Sequence, residues 1–571
     1  MSGDCSSNKM GRWFVLLPVL VVIMCSMEAG SQDRSQARSM VISRGGIVAA
    51  ESPLAAQAGA TVLAQGGHAV DAAIAANAVM GLVAPMSNGI GGDLFAIVYE
   101  AKTGKLYGLN ASGWAPAGLT IEFLKSQGNE RMPGRSIHSV TVPGAVDGWA
   151  RLHERFGRLK LGEDLAPAIR YAEEGFPVTE FVSGLWAQSE QRLKQSESAT
   201  HTYLPGGRAP RLGEVFSNPE LAWTYRQIAK HGRDAFYKGE VAQRILEHSA
   251  KLGGTMNAED LAQFQSEWVE PISTSYRGWT VYEIPPNGQG IAALVMLNLM
   301  EEFPLGEYGH NSARALHVMI EAKKLAYADM LRYVADPKFS QVPVHGMLSK
   351  DYAPERAKLI DPAKANCRVA AGTPPGAGSD TIYLSVVDRE GNIVSLIQSN
   401  YSSVGFGSGV VPAGVGFALQ NRGALFTLDA AHPNALAGRK RPLHTIIPAF
   451  MAKGEIRIAF GIMGGWNQSQ AHAQFVSNVV DHGLNIQAAL EAARFTKDTF
   501  EGCDLEIEGR VPPAVRAELE GLGHKLEIRG VYSPHMGGGQ AVLRDFAAGV
   551  NYGASDPRKD GEAIPEPAPR K

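Results

Sequence analysis

Cysteine is scarce, with four residues in 571: Cys5, Cys25, Cys367 and Cys503. The first two lie in an N-terminal stretch expected to be removed. The remaining two do not reveal from sequence whether they pair. A fold stapled by many disulfides is therefore excluded. Charge of one sign is also lacking, since the formal net charge is -3 and only 19% of residues are charged. There is no dominant basic patch and no aromatic-basic alternation, which argues against nucleic-acid binding. No His-Glu-x-x-His motif occurs. His310, His317 and Glu321 could share one helix face, and the reading is a solvated face rather than a metal site. Gly405-Phe406-Gly407-Ser408-Gly409 lacks the Lys-Ser/Thr ending of a phosphate loop and reads as a hairpin or pocket loop. The sequence calls for no metal and no cofactor.

Long apolar runs are absent except near the start. Lys9 and Arg12 precede Trp13 to Cys25, a basic region followed by a short apolar one, as in a secretory signal. The run is short for a membrane span. Small residues at Ala29-Gly30-Ser31 suit cleavage imperfectly, so residues 1–30 are expected to be a leader and the protein periplasmic or secreted. Lipidation at Cys25 is the alternative, with Met24 a poor match before it.

What is present is an ordinary globular composition, 45% apolar, long enough for two to four domains. Helices are expected at Ser52–Gly66, capped by Ser52 ahead of Pro53, and at 70–83. Two strands follow at 94–99 and 105–110. A mainly helical stretch comes next: 144–156, 165–174, 219–231, 239–252, 258–264 and 312–335. After residue 381 strands return at 381–388, 393–400, 447–453, 456–461 and 539–545, with a helix at 469–481. The Pro-rich end, Ile564 to Pro569, reads as frayed. Such a mixture fits stacked layers with sheets inside.

Thr381 is the candidate that organises the chemistry. A Gly- and Pro-rich stretch, Gly372 to Asp380, runs into an apolar, β-branched strand at Ile382. Scission before Thr381 would place a free α-amine beside its own hydroxyl, joining nucleophile and base in one residue. Asp388-Arg389-Glu390-Gly391-Asn392 reads as a hairpin turn with Gly391 in the left-handed position. That register sets Thr381 opposite Ser399, with side chains about 5 Å apart.

Asp380-Thr381 through Ser385-Val386-Val387-Asp388 and Gly391-Asn392 resembles the start of the small subunit in the γ-glutamyltransferase (glutathione hydrolase) family of N-terminal nucleophile hydrolases. Other landmarks are similar and follow the family's order. They are Gly66-Gly67-His68-Ala69-Val70-Asp71, Asn88-Gly89-Ile90-Gly91-Gly92, Val142-Pro143-Gly144, Pro285-Pro286-Asn287-Gly288, Lys440-Arg441-Pro442-Leu443, Gly464-Gly465 and Tyr552 to Arg558. The resemblance spans about residues 43–558. It implies an α+β fold, a four-layer αββα sandwich built by a large subunit (31–380) and a small subunit (381–571). It implies cleavage between Asp380 and Thr381, attack by Thr381 supported by Ser399, and an oxyanion hole at Gly464 and Gly465. The partners would be a small amide substrate and the chain's own second fragment.

The pattern departs from the family where a γ-glutamyl group is gripped. Ser112 stands at the position of the carboxylate-binding Arg, and Leu425 at that of the amine-binding acid. His444-Thr445 replaces a Ser-Ser pair. An unpaired ammonium in a desolvated pocket weakens binding. Arg422, in Asn421-Arg422-Gly423, offers a bidentate anion clamp instead, and Asn400 joins the expected substrate contacts. This pattern is similar to the branch with oxamate amidohydrolase and glutathione-hydrolase-like proteins. The expectation is an autoprocessing amide hydrolase for a small, carboxylate-bearing acyl group. A true γ-glutamyl hydrolase or transferase is the second reading, and a non-catalytic binding protein on the same fold the third.

Overall fold

The computed structural model of the protein describes residues 36–369, 382–401 and 405–568. The expected leader, and Asp380 and Thr381 with the loop before them, lie outside the described residues.

Two seven-stranded antiparallel sheets form the centre. One runs in the order Glu562–Pro565, Ile47–Ala50, Ile382–Val387, Ile393–Ser399, Asp93–Glu100, Lys105–Ala111, Glu267–Val269. The other runs Val41–Ser43, Val550–Ser555, Gly539–Asp545, Ile456–Ile462, Ala449–Lys453, Trp279–Glu283, Ile272–Tyr276. Three apolar layers alternate with them. Phe95, Ile97, Tyr383 and Ile397 of the first sheet meet Phe450, Ala459 and Val542 of the second. The outer face of the first sheet packs on helices that include Pro53–Ala64 and Ala69–Val83. The outer face of the second packs on Gly290–Glu301, Ala313–Tyr333 and Asn467–Val480. This is the αββα sandwich.

Central strands are covered on both faces, so they read as continuous apolar runs; every residue of Ile382–Val387 and Ile393–Ser399 is buried. Their pairing starts at Ile382↔Gln398 and closes at Val387↔Ile393. Asp388 Oδ1 pins the turn by accepting from the amides of Glu390 (3.0 Å) and Asn392 (2.9 Å). Gly391 takes φ +89°, as the turn requires. This is the register expected from the turn residues; its continuation to Thr381 lies outside the described residues.

Two expectations are corrected, and one helix was missed. The Ser52 side chain makes no capping hydrogen bond. Capping occurs at the next helix, where His68 Nδ1 accepts from Val70 N (3.1 Å) and Asp71 accepts from His68 N (2.8 Å). The C-terminal stretch is not frayed at its start: Glu562–Pro565 is an edge strand on Ile47–Ala50, and Glu566 Oε2 accepts from Gly46 N at 2.7 Å. Proline is tolerated there because an edge strand has a side that needs no donor. The Gly290–Glu301 helix went unread because it is apolar nearly all round and carries no amphipathic period.

A small three-stranded sheet, Phe495–Thr496, Asp504–Glu508 and Lys525–Arg529, flanks the second layer of helices. Beside it Cys367 and Cys503 form a disulfide.

Candidate active site

Strand ends from both sheets converge at one edge of the sandwich. Ser399 closes its strand opposite Asp93, which opens the neighbouring one. Gly92 sits directly on Ser399, where a Cβ would lie 2.2 Å from the Ser399 carbonyl oxygen. The Asn88-Gly-Ile-Gly-Gly landmark thus exists for close backbone approach.

Asp93 is the hub, and it is fully buried. Its Oδ1 accepts from Gly113 N and Gln420 Nε2, both at 2.8 Å. Its Oδ2 faces His444 Nε2 at 2.8 Å and Arg422 Nε at 3.9 Å. His444 Nδ1 accepts from Ile446 N (3.3 Å), which leaves Nε2 to carry the proton that Asp93 receives. Burial, reinforced by the Arg422 charge, lowers the His444 pKa to about 4 despite Asp93. The imidazole is therefore neutral at physiological pH.

Arg422 opens a short 3₁₀ turn, Arg422–Leu425. Its guanidinium is wholly buried, lies 4.3 Å from the Tyr401 ring centre and donates from Nη1 to Thr445 Oγ1 at 2.7 Å. Among the described residues Nε and Nη2 have no hydrogen-bond partner. Burial lowers its pKa to about 10, so it remains a cation at neutral pH, and an under-satisfied one. Tyr401 holds φ +56° and donates its amide to Ser399 Oγ at 2.8 Å.

Gly464 and Gly465 form the turn between the strand Ile456–Ile462 and the helix Asn467–Val480, at φ +125° and +60°. Their carbonyls accept from the first helical amides, Gly464 O from Asn467 N (3.0 Å) and Gly465 O from Gln468 N (3.3 Å). Among the described residues neither glycine amide donates a hydrogen bond. Gln289 Nε2 bridges the turn to the clamp, donating to Gly465 O (2.7 Å) and Thr445 O (2.5 Å).

Ser399, Arg422, His444, Thr445, Gly464 and Gly465 are thus brought together. Asn400 adjoins them, with Nδ2 on Pro85 O (3.1 Å) and Oδ1 lacking a partner among the described residues. Ser112 sits behind Asp93, its hydroxyl donating to Asn110 Oδ1 (2.7 Å) and accepting from Asn287 Nδ2 (3.2 Å). Leu425 packs against the apolar core. Asp93, Gln420, Tyr401 and Gln289 were missed. A lone acid opening an apolar strand was the available sign for Asp93; the others carry none.

The helix-face reading of His310, His317 and Glu321 is corrected. His310 precedes the helix Ala313–Tyr333, and His317 and Glu321 are buried because helices and the small sheet cover both sides. His317 Nδ1 meets His524 Nε2 at 2.8 Å, and Glu321 takes the Lys324 ammonium at 2.6 Å. A cation already neutralises the carboxylate, so the group makes a poor metal site.

The gamma-glutamyltranspeptidase family profile matches residues 55–566. The chain belongs to that family. It is 37% identical to the glutathione hydrolase-like YwrD proenzyme of Bacillus subtilis over 90% of this chain and 96% of that one. It is 34% identical to the oxamate amidohydrolase proenzyme of Klebsiella pneumoniae, covering 91% and 98%. Cephalosporin acylase from Bacillus halodurans superimposes with a TM-score of 0.87 at 44% identity, over 95% of this chain and 99% of that one. The family fold is that of N-terminal nucleophile hydrolases, and the protein is an enzyme of this group.

Proposed function

We propose that this family member cuts itself between Asp380 and Thr381 and then hydrolyses amides of a small, carboxylate-bearing acyl group. In the precursor the Thr381 hydroxyl attacks the Asp380 carbonyl, and water resolves the ester. In the processed enzyme the same hydroxyl attacks the substrate amide. The freed α-amine, with a reference pKa of about 7.7–8.0, takes the proton near neutral pH. The leaving amine departs, and water or an acceptor amine releases the acyl group. Ser399 orients the nucleophile, and the unengaged amides of Gly464 and Gly465 receive the oxyanion. Residues 31–380 and 381–571 are then the two subunits, and residues 1–30 an export leader for the periplasm or beyond. Among the described residues no helix is long and apolar enough to cross a membrane.

The half-satisfied, buried guanidinium of Arg422 carries the substrate reading. A carboxylate on the acyl group supplies two acceptors to a cation that makes one hydrogen bond among the described residues. A γ-glutamyl group would also need an anion for its ammonium. Leu425 cannot supply one, and both oxygens of Asp93 are already bonded. The relatives named as oxamate amidohydrolase and as acylase support the same direction.

Steady-state assays on oxamate and short dicarboxylic monoamides, against γ-glutamyl anilides, test this. Turnover of the acidic monoamides is expected to dominate. Strong γ-glutamyl turnover would overturn the acyl-group assignment, and an intact Asp380–Thr381 bond in active protein would overturn the mechanism.

A further inference from the structure

The disulfide joins residues on opposite sides of the proposed scission. Cys367 precedes Asp380, and Cys503 belongs to the segment after Thr381. Cys503 is buried at 3% exposure while Cys367 is exposed. The contact around them is built rather than incidental. Gly502 N donates to Cys367 O (3.1 Å) and Ala365 N to Leu522 O (2.7 Å). Lys324 ties the same place together from the large-subunit side, with Nζ on Asn366 O (3.1 Å) and 3.8 Å from Cys503 Sγ. Glu321 Oε2 accepts from Asn366 N (3.3 Å). Residues 365–367 are thus docked beside the small sheet, against residues 502, 503 and 522.

We propose that, once the chain is cut, this disulfide is a covalent tether between the two subunits, so that the processed enzyme unfolds and refolds as one molecule. The idea rests on the scission proposed above. Forming the bond takes two protons and two electrons from the two thiols. The acceptor is an external protein disulfide of an oxidising compartment, which leaves as a dithiol. Without the link, separated subunits must find each other by diffusion, and their stability depends on concentration. With it, reassociation is intramolecular, at an effective concentration set by the tether.

The purified processed enzyme is run on denaturing gels with and without dithiothreitol. One band without reductant and two with it is the expected result. Two bands in both lanes overturn the tether while leaving scission intact. One band in both lanes overturns the tether together with the scission it needs. Cys503→Ser should give two bands without reductant; if that variant does not fold, alkylation of the unreduced wild type should find no free thiol among Cys367 and Cys503, and labelling of either overturns the tether. Recovery of activity after urea dilution provides the second readout. It should be independent of protein concentration in the oxidised enzyme, and about tenfold slower per tenfold dilution in the reduced one, as for a bimolecular step. Equal concentration dependence of the two forms overturns the proposal.

Discussion

Two buried arginine clusters in this molecule are satisfied to very different degrees. Arg558, between the small sheet and the second large sheet, uses every donor direction. It pairs with Glu508 through Nε and Nη2, both at 2.7 Å, with Asp556 at 3.0 Å, and with the carbonyls of Leu490 and Ala492. Arg494 beside it reaches Asp556 at 2.6 Å and the Met536 carbonyl at 3.0 Å. Arg422 is as deeply buried yet makes one hydrogen bond among the described residues. A guanidinium removed from water costs several kcal/mol unless its protons are used. The first cluster repays that cost within the fold, whereas the second leaves donors that an anionic ligand would complete. On the substrate reading proposed above, the contrast separates an arginine that holds the structure from one placed for a substrate.

Breaking the structural cluster should have the largest effect. Arg558→Ala leaves the buried charges of Glu508 and Asp556 poorly compensated, and we expect a loss of about 3–5 kcal/mol in chemical denaturation. A loss under 1 kcal/mol would remove the basis of the comparison. Next comes the backbone counterpart of Arg422, the unengaged glycine amides. Gly464→Ala forces a side chain into φ +125° and should turn the amide away, lowering kcat by about 10²–10³-fold. An unchanged kcat excludes Gly464 from the oxyanion hole.

Arg422→Ala should raise KM for an acidic monoamide about 10- to 100-fold, the worth of charge-assisted hydrogen bonds, with far less change in stability than Arg558→Ala. If stability collapses while KM stays fixed, Arg422 belongs with the structural class. The smallest effect concerns His444. An unfolded histidine takes up a proton below its ordinary pKa of about 6.5, whereas folded His444 resists until about 4. The unfolded state therefore binds more protons in that window, and stability falls as pH drops from 6.5 to 4. His444→Gln keeps a donor for Asp93 without this titration, so at pH 5.5 it should lose about 1 kcal/mol less than wild type relative to pH 7. Parallel pH profiles for the two proteins would show that His444 is not the neutral buried group described.

Much of the frame was legible in local chemistry. The Asp388–Asn392 turn fixed a register that the strands adopt, because turn geometry and the two-residue strand period leave little freedom. The glycines at 91, 92, 464 and 465 were legible through the family resemblance, and the structure supplies the reason: close backbone approach at 91 and 92 and positive φ at 464 and 465. The acidic hub was harder to see, since nothing in a single Asp93 announces partners as distant in sequence as Gln420 and His444. His317 misled for the same reason: helical spacing identifies a face, and only packing says whether water reaches it.

The amino-acid order alone thus determined the layered α+β frame, the central hairpin and the residue types available for chemistry, since these follow from backbone preferences acting over a few residues. Tertiary structure alone decided that Asp93, His444 and Arg422 share one buried cluster, that Arg422 keeps unused donors among the described residues, and that Cys367 meets Cys503. Those outcomes depend on burial and long-range contact, which strand and helix periodicities do not encode.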